Sequence, residues 1–171
     1  MSIEMASTPS EMFNFAGHLI KRNDERPNKT AYIDDHGSIS YGELADKIQR
    51  MASVLQTVGV HREERVLLLM HDCNDWAAAF LGAMYAGIVP VAVNTLLTAD
   101  DYLYMLQHSR ARAALVSNAL LPTLQEAMNR GEHEIQSIIV SQADEALPEN
   151  SGHGHQLAAS DAAHCISSNQ P

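Results

Sequence analysis

Apolar positions along this chain follow two rhythms. Leu44, Ile48, Met51, Leu55 and Val58 recur at the spacing of a helix with one buried face, while Asp46, Lys47, Arg50 and Gln56 fall largely on the other side. Ser40-Tyr41-Gly42-Glu43 has the spacing of a capping box at the start of that helix, and Gly59 supplies a left-handed end. The second rhythm is made of short continuous apolar runs: Val66 to Met70, Val89 to Val93, Ala113 to Val116 and Ile135 to Val140. Such runs predict strands buried on both faces of a parallel sheet. Between them lie a nearly all-apolar helix from Asp75 to Ala86 that stops at Gly87, a helix capped by Thr98-Ala99-Asp100-Asp101 that reaches about Ser109, and a helix over Pro122 to Asn129. Strand and helix alternate, which predicts right-handed crossovers.

Ahead of this repeat, Phe13, Ala16, Leu19 and Ile20 predict a helix somewhere between Pro9 and Asn23. Two starts are open: the Thr8-Pro9-Ser10-Glu11 box, or Asn14 as a later cap. Arg26-Pro27 ends it, because the residue before proline is pushed out of the helical region. Thr30 to Ile33 and Ser38 to Ser40 then read as a hairpin turned by Asp34-Asp35-His36-Gly37. The fold class is α/β: a parallel, Rossmann-like sheet with crossover helices, preceded by a helix and a short β-hairpin. Residues 1–140 make up this partial domain. Ser141 to Pro171 holds Asp144, Glu145, Glu149 and Asp161, no Lys or Arg and no sustained period, which predicts a polar loop or frayed tail.

Charge narrows the partners. Among 171 residues, 21 acidic side chains face 11 basic ones, for a formal net charge of -10, and the basic residues form no stripe. Nucleic acid is therefore not an expected partner, since phosphate backbones are held by clustered Lys and Arg. Two cysteines, Cys73 and Cys165, make no disulfide framework. The apolar stretch Trp76 to Val93 is broken by Gly82, Gly87 and Pro90, and the first residues carry no secretory signal pattern. No membrane is expected as a partner, and a cytoplasmic location fits these features.

Three groups invite a chemical reading. Ser151-Gly152-His153-Gly154 is the nearest approach to a phosphate loop, but no G-x-G-x-x-G or G-K-[ST] occurs. His71-Asp72-Cys73-Asn74-Asp75 follows a strand at the end where open α/β sheets bind ligands. It is one short loop rather than separated pairs wrapping an ion, so Asn74 or Asp75 is expected to cap the next helix instead. His153, His155, His164 and Cys165 lie in the polar tail, where ordering costs oppose a metal site and nothing orients a Cys-His nucleophile.

A longer match carries more. Ala31-Tyr32-Ile33-Asp34, Ser40 to Leu44, Glu64 to Leu69 with His71-Asp72, Phe80 to Gly87 running on to Pro90 and Asn94, and Thr98 to Met105 together resemble the adenylate-forming acyl- and aryl-CoA ligases. The run from Val93 to Tyr102 is most similar to the benzoate-CoA and 4-hydroxybenzoate-CoA ligase branch. The resemblance implies the first part of a large N-terminal domain from an enzyme that uses ATP, Mg2+, CoA and an aromatic carboxylate. It also implies a Ser/Gly-rich phosphate loop beginning about Ser167-Ser168, where this sequence reads Asn169-Gln170-Pro171 instead. No catalytic, cofactor-binding or metal-ligating residue of the family can be carried onto these positions. The expectation is thus an N-terminal ligase fragment, inactive alone and prone to self-association or to pairing with a complementary chain. The alternative is a stand-alone interaction module derived from the same subdomain.

Overall fold

The computed structural model describes residues 13–141 and the backbone of residues 164–167. The first helix, α1 (Phe15–Asn23), begins at the later of the two expected starts, because the Asn14 side chain caps it by accepting from Gly17 N. The Thr8 to Glu11 box lies outside the described residues. Strands β1 (Thr30–Asp34) and β2 (Gly37–Ser40) form the antiparallel hairpin, with Gly37 at φ 139° in its turn. Helix α2 (Tyr41–Thr57) opens with both bonds of the Ser40–Glu43 capping box, and Gly59 takes φ 84° just past its end.

The repeat that follows is β3 (Arg65–Leu69), α3 (Asn74–Tyr85), β4 (Val89–Ala92), α4 (Ala99–Ser109), β5 (Ala113–Ser117), α5 (Leu121–Asn129), β6 (Ser137–Ser141) and β7 (His164–Ser167). Strand order in the sheet is β4-β3-β5-β6-β7. The first four strands are parallel, as the crossovers require, and β6 starts two residues later than its apolar run suggests. Alternate residues of the strands feed two cores. Leu67, Leu69, Ala114, Val116, Ile138 and Val140 meet α4 and α5 through Tyr102, Leu106, Leu124 and Ala127. Val66, Leu68, Leu115 and Ile139 meet α2 and α3 on the other face through Leu55, Ala79 and Ala83. The sheet is therefore doubly wound, with helices on both faces.

Helices α2 and α3 cross closely at Gly82. A Cβ added there would sit 2.6 Å from Met51 Cβ and 3.1 Å from Ile48 O, so only glycine fits. Beyond the crossing, α1 packs on α3 in a third cluster of Ala16, Ile39, Leu44, Ile48 and Leu81.

Three expectations need correction. Val89 to Val93 is not buried on both faces: among the described residues β4 is the edge of the sheet, with Val89 42% exposed. Val89 N and Val93 N donate to Glu64 O and Leu68 O of the β3 side, so Pro90 points its missing N–H away from the ladder. Proline is tolerated in a sheet at such an edge and not at its centre. The segment after Ser141 is not wholly without structure, because His164–Ser167 pairs antiparallel with Ser137–Val140 and makes the sheet mixed. Finally, neither Asn74 nor Asp75 caps α3; the cap position is Cys73, whose side chain makes no cap bond.

Candidate functional site

Chain order places β3 and β5 side by side with their connections on opposite faces, and the crevice outside their carboxyl ends is where doubly wound sheets take ligands. His71 to Asp75 after β3, Asn94 to Leu97 after β4, Ser117 at the end of β5 and Ser141 at the end of β6 lie at this end of the sheet. Here the crevice is bridged by protein groups. His71 N donates to the Oγ of buried Ser117 at 3.0 Å, which ties the two strand ends together.

The N-terminus of α3 opens into the same region, with backbone N–H groups that a phosphate could accept in other nucleotide folds. Asp34, at the end of β1, fills that role from outside. Its Oδ2 accepts Asn74 N at 2.8 Å while its Oδ1 accepts His36 N at 3.0 Å, so one carboxylate holds both the hairpin turn and the helix start. A second carboxylate stands in the first turn of α3. Asp75 Oδ1 accepts Lys47 Nζ at 2.8 Å, and its Oδ2 accepts Ser141 Oγ at 3.0 Å, linking α2, α3 and β6. Both carboxylates favour the positive end of the helix dipole. Asn74 Oδ1 is buried and unbonded among the described residues, which costs about 1–3 kcal/mol.

The loop after β4 is also held from within. Tyr102, fully buried on α4, donates its hydroxyl to Asn94 O at 2.9 Å and accepts Leu97 N at 3.2 Å. Thr98 and Asp101 complete the capping box that starts α4, and the Thr98 hydrogen bonds hold the Asp101 carboxyl below its usual range.

At the opposite end of the sheet an ion network joins three elements. Arg112 reaches Glu64 at 3.5 Å and Glu134 at 3.3 Å, and Arg110 reaches Glu134 at 2.7 Å. Glu134 is held below, and Arg110 above, its ordinary pKa, chiefly by their mutual hydrogen bond. A shallow depression of about 600 Å3 on the outer side of α2 is lined by Asp46, Gln49, Arg50, Ser53 and Val54, all from one helix.

Residues 19–170 match the family described as AMP-binding enzyme. The chain belongs to that family. It is 50% identical over 115 residues to benzoate–CoA ligase of Thauera aromatica, a match covering 66% of this chain and 22% of that one. It is 43% identical over 121 residues to the 4-hydroxybenzoate–CoA/benzoate–CoA ligase of Rhodopseudomonas palustris, covering 70% and 22%. The benzoate CoA ligase of Burkholderia xenovorans superposes with a TM-score of 0.73 at 53% identity, over 77% of this chain and 26% of that one. The chain thus spans about a fifth of the length of the curated ligases it matches.

Against this family the site reads plainly. Among the described residues the α3 terminus is taken by Asp34, and no three His, Cys, Asp or Glu side chains are placed to hold a metal ion. His71, Asp72 and Cys73 do lie at the carboxyl end of β3 as expected, with Cys73 half-buried. Ser151 to Gly154, His153 and His155 lie outside the described residues, and His164 and Cys165 fall in β7. The reading from sequence missed Asp34. Its signal was an Asp at the mouth of a turn, which looks like turn chemistry and nothing more. No helix among the described residues is long and apolar enough to cross a membrane.

Proposed function

We propose that this chain is the first part of the N-terminal domain of an ATP-dependent aryl-CoA ligase of the benzoate type, and that its own role is to build and hold that part of the scaffold. Enzymes of this kind join a carboxylate to ATP as an acyl-adenylate with loss of diphosphate, and then pass the acyl group to the thiol of CoA with loss of AMP. ATP, Mg2+, CoA and an aromatic carboxylate are the ligands of that whole enzyme. Identity of 53% to the benzoate CoA ligase of Burkholderia xenovorans, spread over 77% of this chain, carries the reading.

The bonds described above support a scaffold role. Three polar side chains at the carboxyl end of the sheet are spent on other elements: Asp34 on α3, Asp75 on α2 and β6, Ser117 on β3. Catalysis in such ligases rests on positioning and charge stabilisation around a triphosphate, which these internal pairs do not provide. The isolated chain is therefore inactive in this reading.

Two measurements test it. Diphosphate release from benzoate and MgATP by the isolated chain should equal the no-protein control. A chimera in which this chain replaces the matching part of the Burkholderia xenovorans ligase should still make benzoyl-CoA. A chimera that folds but is dead with every aromatic acid would sink the ligase reading, and turnover by the isolated chain would sink the scaffold role.

A further inference from the structure

The basic side chains of this acidic chain are not spread evenly. Four of the 11, Lys21, Arg22, Arg26 and Lys29, fall within residues 21–29, all exposed and none in an ion pair among the described residues. Lys21 and Arg22 close the last turn of α1, where they answer the negative end of the helix dipole. Arg26 has a different setting. Its Nε donates at 2.8 Å to Oδ1 of Asn23, a buried side chain whose Nδ2 in turn donates to Leu19 O at 2.7 Å. Its guanidinium carbon lies 5.4 Å from the centre of the Tyr41 ring. The backbone on either side of Asn28 is pinned to the start of α2, since Gly42 N donates to Pro27 O and Tyr41 N to Lys29 O, each at 2.9 Å. Nε and one face of the guanidinium are thus engaged, while its two terminal amino groups have no partner among the described residues. A fork oriented in this way suits a carboxylate or phosphate taken by two parallel bonds.

We propose that Arg26 is a carboxylate receptor for this chain's own acidic stretch, and that it takes the Asp144-Glu145 pair. The ligase reading is not needed for it. Charge selects the occupant: residues 142–163 hold Asp144, Glu145, Glu149 and Asp161 and no Lys or Arg. Connection brings them to the place. The stretch leaves from Ser141 and returns at His164, which pairs opposite Val140, so both its ends are at the carboxyl end of β6. Ser141 is joined through Asp75 to Lys47 of α2 by bonds of 3.0 and 2.8 Å. From Lys47 back to Tyr41, under Arg26, is about 9 Å along the helix axis at a rise of about 1.5 Å per residue. Asp144 and Glu145 follow Ser141 closely enough for a reach of about 10–14 Å in extended chain, before either side chain is counted. Lys29, whose N donates to Arg26 O at 3.1 Å, adds positive charge on the same pinned turn. An exposed ion pair between two free side chains gains little, but a two-bond fork on an oriented guanidinium loses less freedom on pairing.

Limited proteolysis of the 171-residue chain, read by mass as cleavage within residues 142–163, tests the proposal. Arg26→Gln should raise the rate about two- to fivefold, and so should Asp144→Asn combined with Glu145→Gln. All three substitutions together should raise it no further, because they remove one and the same interaction. Arg50→Gln, exposed on α2, should leave the rate unchanged. A free peptide of residues 141–164, with and without the two acidic substitutions, corrects for the protease's own preference. Circular dichroism checks that Arg26→Gln still folds; if it does not, Arg26→Lys, which keeps the charge without the fork, should still raise the rate. Equal rates for the natural chain and the acidic variant, or for the natural chain and a folded Arg26 variant, overturn the proposal. Additive effects, or the same rise with Arg50→Gln, overturn it as well. Protection that fades when the protein is diluted also overturns it, and assigns the carboxylates to a second copy.

Discussion

Asn14 caps two helices at once. Its Oδ1 accepts Gly17 N at 2.8 Å at the start of α1, while its Nδ2 donates to Met84 O at 2.9 Å and Tyr85 O at 3.2 Å at the end of α3. One amide thus satisfies an orphan donor of one helix and orphan acceptors of another. Asn14→Ala should lower unfolding free energy by about 1–3 kcal/mol, since both sets of bonds go. Asn14→Asp is the sharper test. Aspartate caps a helix start as well as asparagine does, yet it has no donor and sets a negative charge beside the negative end of α3. Denaturant titration should show no rescue by aspartate; full rescue would mean that the α3 contacts contribute nothing.

Asp34 and Asn74 make the equivalent bond at the other end of α3. Asp34→Ala should cost about 1–2 kcal/mol, in the range of a lost helix cap. Because the same carboxylate holds the hairpin turn, amide exchange should quicken at both His36 and Asn74. Faster exchange at His36 alone would show that the hairpin and the helix are not coupled through this side chain.

Tyr102→Phe removes a single oxygen from a fully buried ring and leaves Asn94 O and Leu97 N without their partner. The expected loss is about 1–3 kcal/mol, the cost of leaving part-buried polar groups without their hydroxyl partner. A loss under a few tenths of a kcal/mol would mean that water takes the hydroxyl's place.

His133 gives a pH dependence with a definite sign. Burial lowers its pKa below the ordinary value, and its Nδ1 accepts Ile135 N at 3.2 Å, which requires the unprotonated atom. The unfolded chain therefore takes up the proton first as pH falls. The contribution is fully present above the unfolded value of about 6.5 and is lost as pH falls from there through the lower folded value. Thermal melts from pH 8 to 5 should fall more steeply for the natural chain than for His133→Gln. Parallel curves would show that the half-buried imidazole does not report on folding.

Much of the architecture could be read from local signals, and the reason is physical. The Ser40–Glu43 and Thr98–Asp101 boxes close within four residues, so spacing alone exposes them, and the structure has all four bonds. Gly59 and Gly87 take positive φ where helices must stop. The errors fall where partners are distant. Nothing near Asn74 announces that Asp34 caps it, or that Asn14 reaches Met84 seventy residues on. Strand order is likewise not a local property, which is why Val89 to Val93 looked central although Pro90 already argued for an edge. His164–Ser167 is four residues long and has no bounding period, so its pairing with β6 left no trace in the pattern.

The proline of β4 has a consequence for how the chain behaves when crowded. Amyloid growth needs an edge that hands on a full row of donors and acceptors to each arriving strand. Here that row is interrupted in its second residue, so the open side can be adhesive without being a template. Concentrated samples should form clusters that redissolve on dilution and stay dark to an amyloid dye, whereas Pro90→Val restores the row and should let fibres seed. In this chain a single ring separates stickiness from propagation.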